Sequence, residues 1–179
     1  MAGVRNNFSI TRKRMSFIME YTRKVNLQGR DVTMICVGQT SAEPARAYAL
    51  AFTSEHDVLL VSSGEKDPYR WLPGGGIESR ETPEQALRRE LLEEADAVID
   101  ALEYLGSQRL DDDKGWREFQ HFYWCRVTLA PQPAIRSEST LRHLVAPRDF
   151  LDTLEWGHSD PKAAMLLERA LEAERKYSI

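Results

Sequence analysis

Cysteine is scarce in this sequence: Cys36 and Cys125 are the only two among 179 residues. Neither has a neighbouring Cys or a partner at metal-ligand spacing, which argues against a disulfide framework and against a cysteine-based zinc site. Each lies in a strand-like apolar run, so two buried free thiols are expected. No apolar run reaches the ~18 residues of a membrane span. No secretory hydrophobic region follows the first residues, and a cytoplasmic location is the expectation. Internal repeats and low-complexity tracts are missing. So is a dense basic cluster. Residues 1–30 hold Arg5, Arg12, Lys13, Arg14, Arg23, Lys24 and Arg30 against Glu20 alone, a balance of +6, but scattered. Since the whole chain carries −4, the remainder carries −10. A basic arm that packs on an acidic body, or completes a homodimer, is expected ahead of stable nucleic-acid binding.

What is present is an ordinary globular composition. Hydrophobic residues make up 42% and charged residues 29%, enough to form a core in one domain of this length. The expected division is an arm over residues 1–30 and a domain over 31–179. Met15, Ile18, Met19, Thr22 and Val25 recur at helical spacing and predict a short amphipathic helix within residues 10–25. Strands are predicted at Asp31–Gly38, Ala45–Phe52, Val58–Ser63, Ala101–Leu110, Glu118–Leu129 and Leu141–Pro147. "DDDKG" at Asp111–Gly115 reads as a hairpin turn. Thr82 and Gln85 have capping-box spacing and Pro83 suits a first helical position, so a helix runs from about Thr82 to Ala95. Pro147–Leu154 reads as a short helix. A terminal helix starts after a capping Asp160 and Pro161. The sum is α+β, or mixed α/β, without the regular alternation of a doubly wound fold.

The chemistry concentrates in "WLPGGGIESRETPEQALRRELLEEADAVI", Trp71 to Ile99. At ~100° per residue, Glu90, Glu93 and Glu94 share one face of the helix. Leu87, Leu91 and Val98 form a stripe beside it. Like charges at these spacings repel. An oxygen-rich cluster suits a hard cation such as Mg2+, which also binds phosphate oxygens. Ahead of the helix, Pro73–Gly76 reads as a flexible loop whose backbone can approach a metal or a phosphate closely.

With Gly75, Glu81 and Arg89-Glu90-Leu91-Leu92-Glu93-Glu94 in place, the stretch resembles the Nudix box of MutT-like hydrolases, and the resemblance covers roughly residues 31–155. Two positions depart from the box. Asp96 stands where the family has the Gly that ends the helix in a left-handed conformation, and Ala97 replaces a bulky aliphatic. The resemblance implies the Nudix fold, an α/β/α sandwich with a mixed central sheet and the loop–helix unit. It also implies hydrolysis of a pyrophosphate bond in a nucleoside diphosphate linked to another group, dependent on Mg2+ or Mn2+. Glu90, Glu93 and Glu94 match the family's metal-binding glutamates, with the Gly74 carbonyl as a backbone ligand. Glu81 and Arg89 would pair and orient those carboxylates. Glu90 or Glu94 would serve as general base, or Glu138 from the later loop. Arg70, Lys66 and Gly75 are candidate contacts for substrate phosphates. The alternative is a protein of this fold that binds a nucleotide without cleaving it. No signature selects one nucleotide derivative.

Other side chains invite weaker readings. Tyr123 and Trp124 face opposite ways on a strand, so at most one is expected in the core. His121 reads as a satisfied or exposed strand histidine. Trp156 and His158 are expected to pack and cap ahead of the last helix.

Overall fold

The computed structural model describes residues 22–27, 30–37, 45–112, 117–131 and 140–178. The chain forms two compact units, one from residues 1–44 with 106–120 and the other from 45–105 with 121–179. In the first, β1 (Thr22–Leu27) runs antiparallel to β2 (Arg30–Val37), which pairs in turn with residues 107–112 of β6 (Ala97–Asp112). The helix predicted over residues 10–25 is therefore corrected at its end: Thr22–Val25 are strand, and residues 10–21 lie outside the described residues. In the register of the pair, Val25 stands opposite Val32 and Lys24 opposite Thr33. Cys36 sits on β2. Asp111 and Asp112 of the predicted "DDDKG" turn are strand, at the end of β6, and residues 113–115 lie outside the described residues; β7 spans Arg117–Leu129.

In the larger unit the sheet order is β6-β7-β3-β4-β8, with β3 Ala45–Phe52, β4 Val58–Ser62 and β8 Leu141–Val145. Helix α1 (Pro83–Ala95) covers one face. On the other lie α2 (Phe150–Thr153), reached through the 3-10 turn Pro147–Asp149, and α3 (Pro161–Tyr177). This is the α/β/α arrangement anticipated. Strand β3 shows why it forms. Tyr48, Leu50 and Phe52 point to the α3 side, and Ala47, Ala49 and Ala51 to the α1 side. Period-2 alternation thus gives a bulky face and an alanine face, both buried. Leu87 and Leu91 of α1 are fully buried over the alanines. Each contributes about 1.5–3 kcal/mol of burial.

Double coverage corrects the reading of Tyr123 and Trp124. Both are core residues, 1% and 3% exposed, in the two separate layers. Cys125, beside them, is a buried free thiol whose pKa is pushed up by desolvation. Val98 does not belong to the helical stripe. It lies on β6, just past the end of α1, and is exposed. His121 is neither exposed nor satisfied: it is 1% exposed, its Nδ1 has no hydrogen-bond partner among the described residues, and burial lowers its pKa. Trp156 packs on the α3-side core, while His158 bonds Asp152. Asp160 caps α3 by accepting from the Lys162 N–H at 2.9 Å.

Candidate active site

Helix α1 starts as its residues dictate. The Thr82 hydroxyl accepts from the Gln85 N–H at 3.2 Å and the Gln85 side chain accepts from the Thr82 N–H at 2.8 Å, with Pro83 following. The helix ends on Asp96 at φ 48, ψ 38, in the left-handed region. Its N–H still reaches Leu92 O at 3.2 Å, and its carbonyl accepts from Ala130 N–H at 2.9 Å. The guanidinium of Arg142, from β8, donates to Ala95 O at 3.1 Å and to Ala130 O at 2.7 Å. A cation therefore caps the carbonyl end of α1, where the helix dipole favours positive charge. That contact bridges residues 47 apart in sequence, and no local signal announces it.

The glycine segment is not the flexible loop expected. Gly74–Gly76 forms a short strand, β5, antiparallel to β3, with Tyr48 opposite Gly74 and Arg46 opposite Gly76. One of its glycines is required by geometry, and a second lies against a carboxylate. Gly74 has φ +133, and a Cβ there would lie 2.1 Å from Ala47 O. At Gly75 a Cβ would fall 2.5–2.8 Å from the Glu90 carboxylate. The segment thus lets a carboxylate lie against the backbone.

Glu94 accepts from the Gly74 N–H at 2.8 Å. Arg89 uses all five of its donors. Nε and Nη2 grip Glu81 in a two-bond fork at 2.9 Å each, and Nη2 also reaches Gly76 O at 2.9 Å. Nη1 donates to Glu90 at 2.9 Å and Glu93 at 3.2 Å. Hydrogen bonds from Arg89 pull the Glu81 pKa down to about 2, and Glu81 in turn raises that of Arg89. Glu81 also accepts from the Glu78 N–H at 3.0 Å, closing the turn ahead of the helix. The structure therefore brings Gly74, Gly75, Glu81, Arg89, Glu90, Glu93 and Glu94 together. Glu138 lies outside the described residues. Lys66 is exposed in the loop before the glycines. Arg70 braces that same loop, donating from Nη1 to the carbonyls of Asp67 and Tyr69.

Among the described residues, no three His, Cys, Asp or Glu side chains already stand in a metal-holding arrangement. Glu90 and Glu93 turn to Arg89, and Glu94 to the loop amide. The donor chemistry nevertheless fits a hard cation. Each carboxylate has about four lone-pair sites, so the three carboxylates on Arg89 have more acceptor capacity than five N–H donors can fill. Gly75 leaves the Glu90 oxygens against backbone rather than a side chain.

A family model, the NUDIX domain, matches residues 43–165. The chain belongs to the NUDIX domain family. Among similar curated proteins, diphosphoinositol polyphosphate phosphohydrolase 3-alpha of Mus musculus is 53% identical over 53 residues, 28% of this chain and 32% of that protein. The 3-beta protein of Bos taurus is 42% identical over 77 residues, 41% and 46% of the two chains. The match thus spans under half the length of these relatives. Among solved structures, a Bacillus subtilis pyrophosphohydrolase aligns with TM-score 0.64 at 20% identity, over 86% of this chain and 97% of that one. A MutT from a study of Aliivibrio salmonicida and Vibrio cholerae aligns with TM-score 0.54 at 20% identity, over 70% and 98%. At that identity the likeness speaks for the fold. No helix among the described residues is long and apolar enough to cross a membrane.

Proposed function

We propose that the protein hydrolyses a pyrophosphate bond in a nucleoside diphosphate linked to another group, with Mg2+ or Mn2+. One observation carries the reading: the Glu90 and Glu94 carboxylates lie against the backbone of Gly75 and Gly74, so acid groups and glycine backbone stand together as a cation and a phosphate would need. Glu90, Glu93, Glu94 and the Gly74 carbonyl would hold the cation, which neutralises phosphate charge and lowers the pKa of a bound water. Glu81 and Arg89 would keep the metal-binding carboxylates at fixed positions. Glu90 or Glu94 takes the proton of the attacking water, unless Glu138 supplies that base. In this reading Lys66 and the Gly75 backbone would meet substrate phosphates. Arg70 reaches them only if it gives up its loop carbonyls.

The likeness to diphosphoinositol polyphosphate phosphohydrolases favours a second substrate, a diphosphate on a polyphosphorylated ring. It changes the group attached to the diphosphate and leaves the cleavage itself intact. The test is a panel of nucleoside triphosphates, sugar nucleotides and a diphosphoinositol polyphosphate with Mg2+ or Mn2+, read as phosphate or nucleotide release. Wild type cleaves at least one class, and Glu94→Gln falls by about a hundredfold. A wild type that binds a nucleotide tightly yet cleaves nothing is a sensor instead. Equal turnover in Glu94→Gln removes that residue from the metal site.

A further inference from the structure

The geometry points to Tyr69, backed by Trp71, as a stacking platform that selects substrates carrying a nucleobase; this rests on the nucleotide reading above. Tyr69 is 54% exposed, yet it is not a loose surface aromatic. Its ring lies 6.4 Å from that of Trp71 with the planes 24° apart, an offset stack. The indole stacks beside the tyrosine ring, and more than half of Tyr69 remains exposed.

The loop beneath is fixed to an unusual degree for a polar segment. The Asp67 carboxylate accepts from the Tyr69 N–H at 2.9 Å and from the Ser63 N–H at 3.2 Å, and these bonds, Tyr69 first, hold its pKa below the usual carboxylate range. Arg70 donates to the Tyr69 carbonyl at 2.9 Å, and its own carbonyl accepts from Glu155 N–H at 2.8 Å. Trp71 exchanges both backbone bonds with Val61, at 2.9 and 3.0 Å. A preset aromatic needs less ordering when a flat ligand arrives.

Position supplies the rest. Trp71 packs on the core layer that contains Leu87, Leu91 and Ala95, so the stack lies on the α1 side of the sheet. Two residues separate Trp71 from Gly74, whose N–H meets Glu94. A ligand with its diphosphate at the glycines can therefore extend a base back along the chain toward Tyr69. Every base has a π-face, so the platform recognises a nucleobase as such and discriminates weakly between bases.

The test compares wild type, Tyr69→Phe and Tyr69→Ala on the nucleotide that wild type cleaves best and on a base-free diphosphate, with thermal unfolding as a check on folding. For Tyr69→Ala, KM for the nucleotide rises about tenfold while kcat is little changed. Tyr69→Phe behaves as wild type, and the base-free compound is handled alike by all three. Titration with a nucleoside monophosphate and with ribose 5-phosphate gives a readout independent of turnover. Only the former perturbs tryptophan fluorescence, and Tyr69→Ala abolishes the effect. Unchanged nucleotide KM in a folded Tyr69→Ala, or an equal loss on both compounds, overturns the platform while leaving nucleotide hydrolysis standing. A wild type that cleaves only the base-free diphosphate overturns the nucleotide reading itself.

Discussion

Two arginine–glutamate clusters in the larger unit use the same groups to opposite ends. On the α3 side, Arg126 pairs with Glu174, both nearly buried. Glu174 also accepts from Trp124 Nε1 at 2.9 Å and meets His56 Nδ1 at 2.7 Å, while Arg126 donates to Thr53 O at 2.9 Å and lies 5.2 Å from the centre of the Tyr177 ring. There one carboxylate and one guanidinium are paired and nearly buried, with Arg126 Nε left without a hydrogen-bond partner among the described residues. On the α1 side Arg89 is divided among three carboxylates, of which Glu93 is 50% exposed. The first arrangement fastens α3 to the sheet. The second leaves acceptor capacity beside the glycine backbone. Stoichiometry and exposure, not residue type, separate a fastening from a candidate site.

Breaking each cluster sharpens the contrast. The largest effect on stability is expected at Glu174→Ala, which strands a buried Arg126 and costs about 3–5 kcal/mol by chemical denaturation. Glu94→Gln, by contrast, removes activity and leaves the unfolding midpoint near that of wild type. If the two variants are equally destabilised, the glutamates of α1 are structural too. Asp96→Gly comes next, with a gain of about 1 kcal/mol because Gly adopts the left-handed conformation without steric cost. Turnover stays close to wild type, and a large rise would mean that Asp96 impairs the site. The smallest effect is a pH dependence at Glu81. Its pKa is lowered in the folded protein, so the stability gained from Arg89 is complete above the unfolded value near 4.5 and disappears as pH falls through about 2. The difference in melting temperature between wild type and Glu81→Gln should therefore be constant near neutrality and shrink in strong acid. A constant difference down to pH 2 would mean the pair contributes no charge-dependent stability.

Local rules carried much of this structure. The capping box at Thr82, the Pro161 start of α3 and the alternation of β3 each involve neighbours within a few residues, and the elements follow from them. Chain-distant partners decided the remainder. Three glycines have no side-chain pattern, so β5 emerges only from its pairing with β3. Tyr123 and Trp124 could both be buried only because helices cover both faces, which a strand's own residues do not state. The same holds for the Arg142 cap and for Arg126–Glu174. In the candidate site the spacing of the glutamates was legible. Their turning toward Arg89 and the Gly74 amide was not, because it depends on where β5 lies.

The alanine face of β3 has a further consequence. Ala47, Ala49 and Ala51 are the floor on which Leu87 and Leu91 rest, and Ala47 also pairs with Gly75. One strand therefore sets the height of the helix above the sheet and the lateral position of the glycines. The gap between carboxylates and backbone is thus gauged by three methyl groups that face neither ligand nor solvent. Sequence drift at these alanines would act like a change of spacer in an instrument, detuning the chemistry while every reactive group stayed in place.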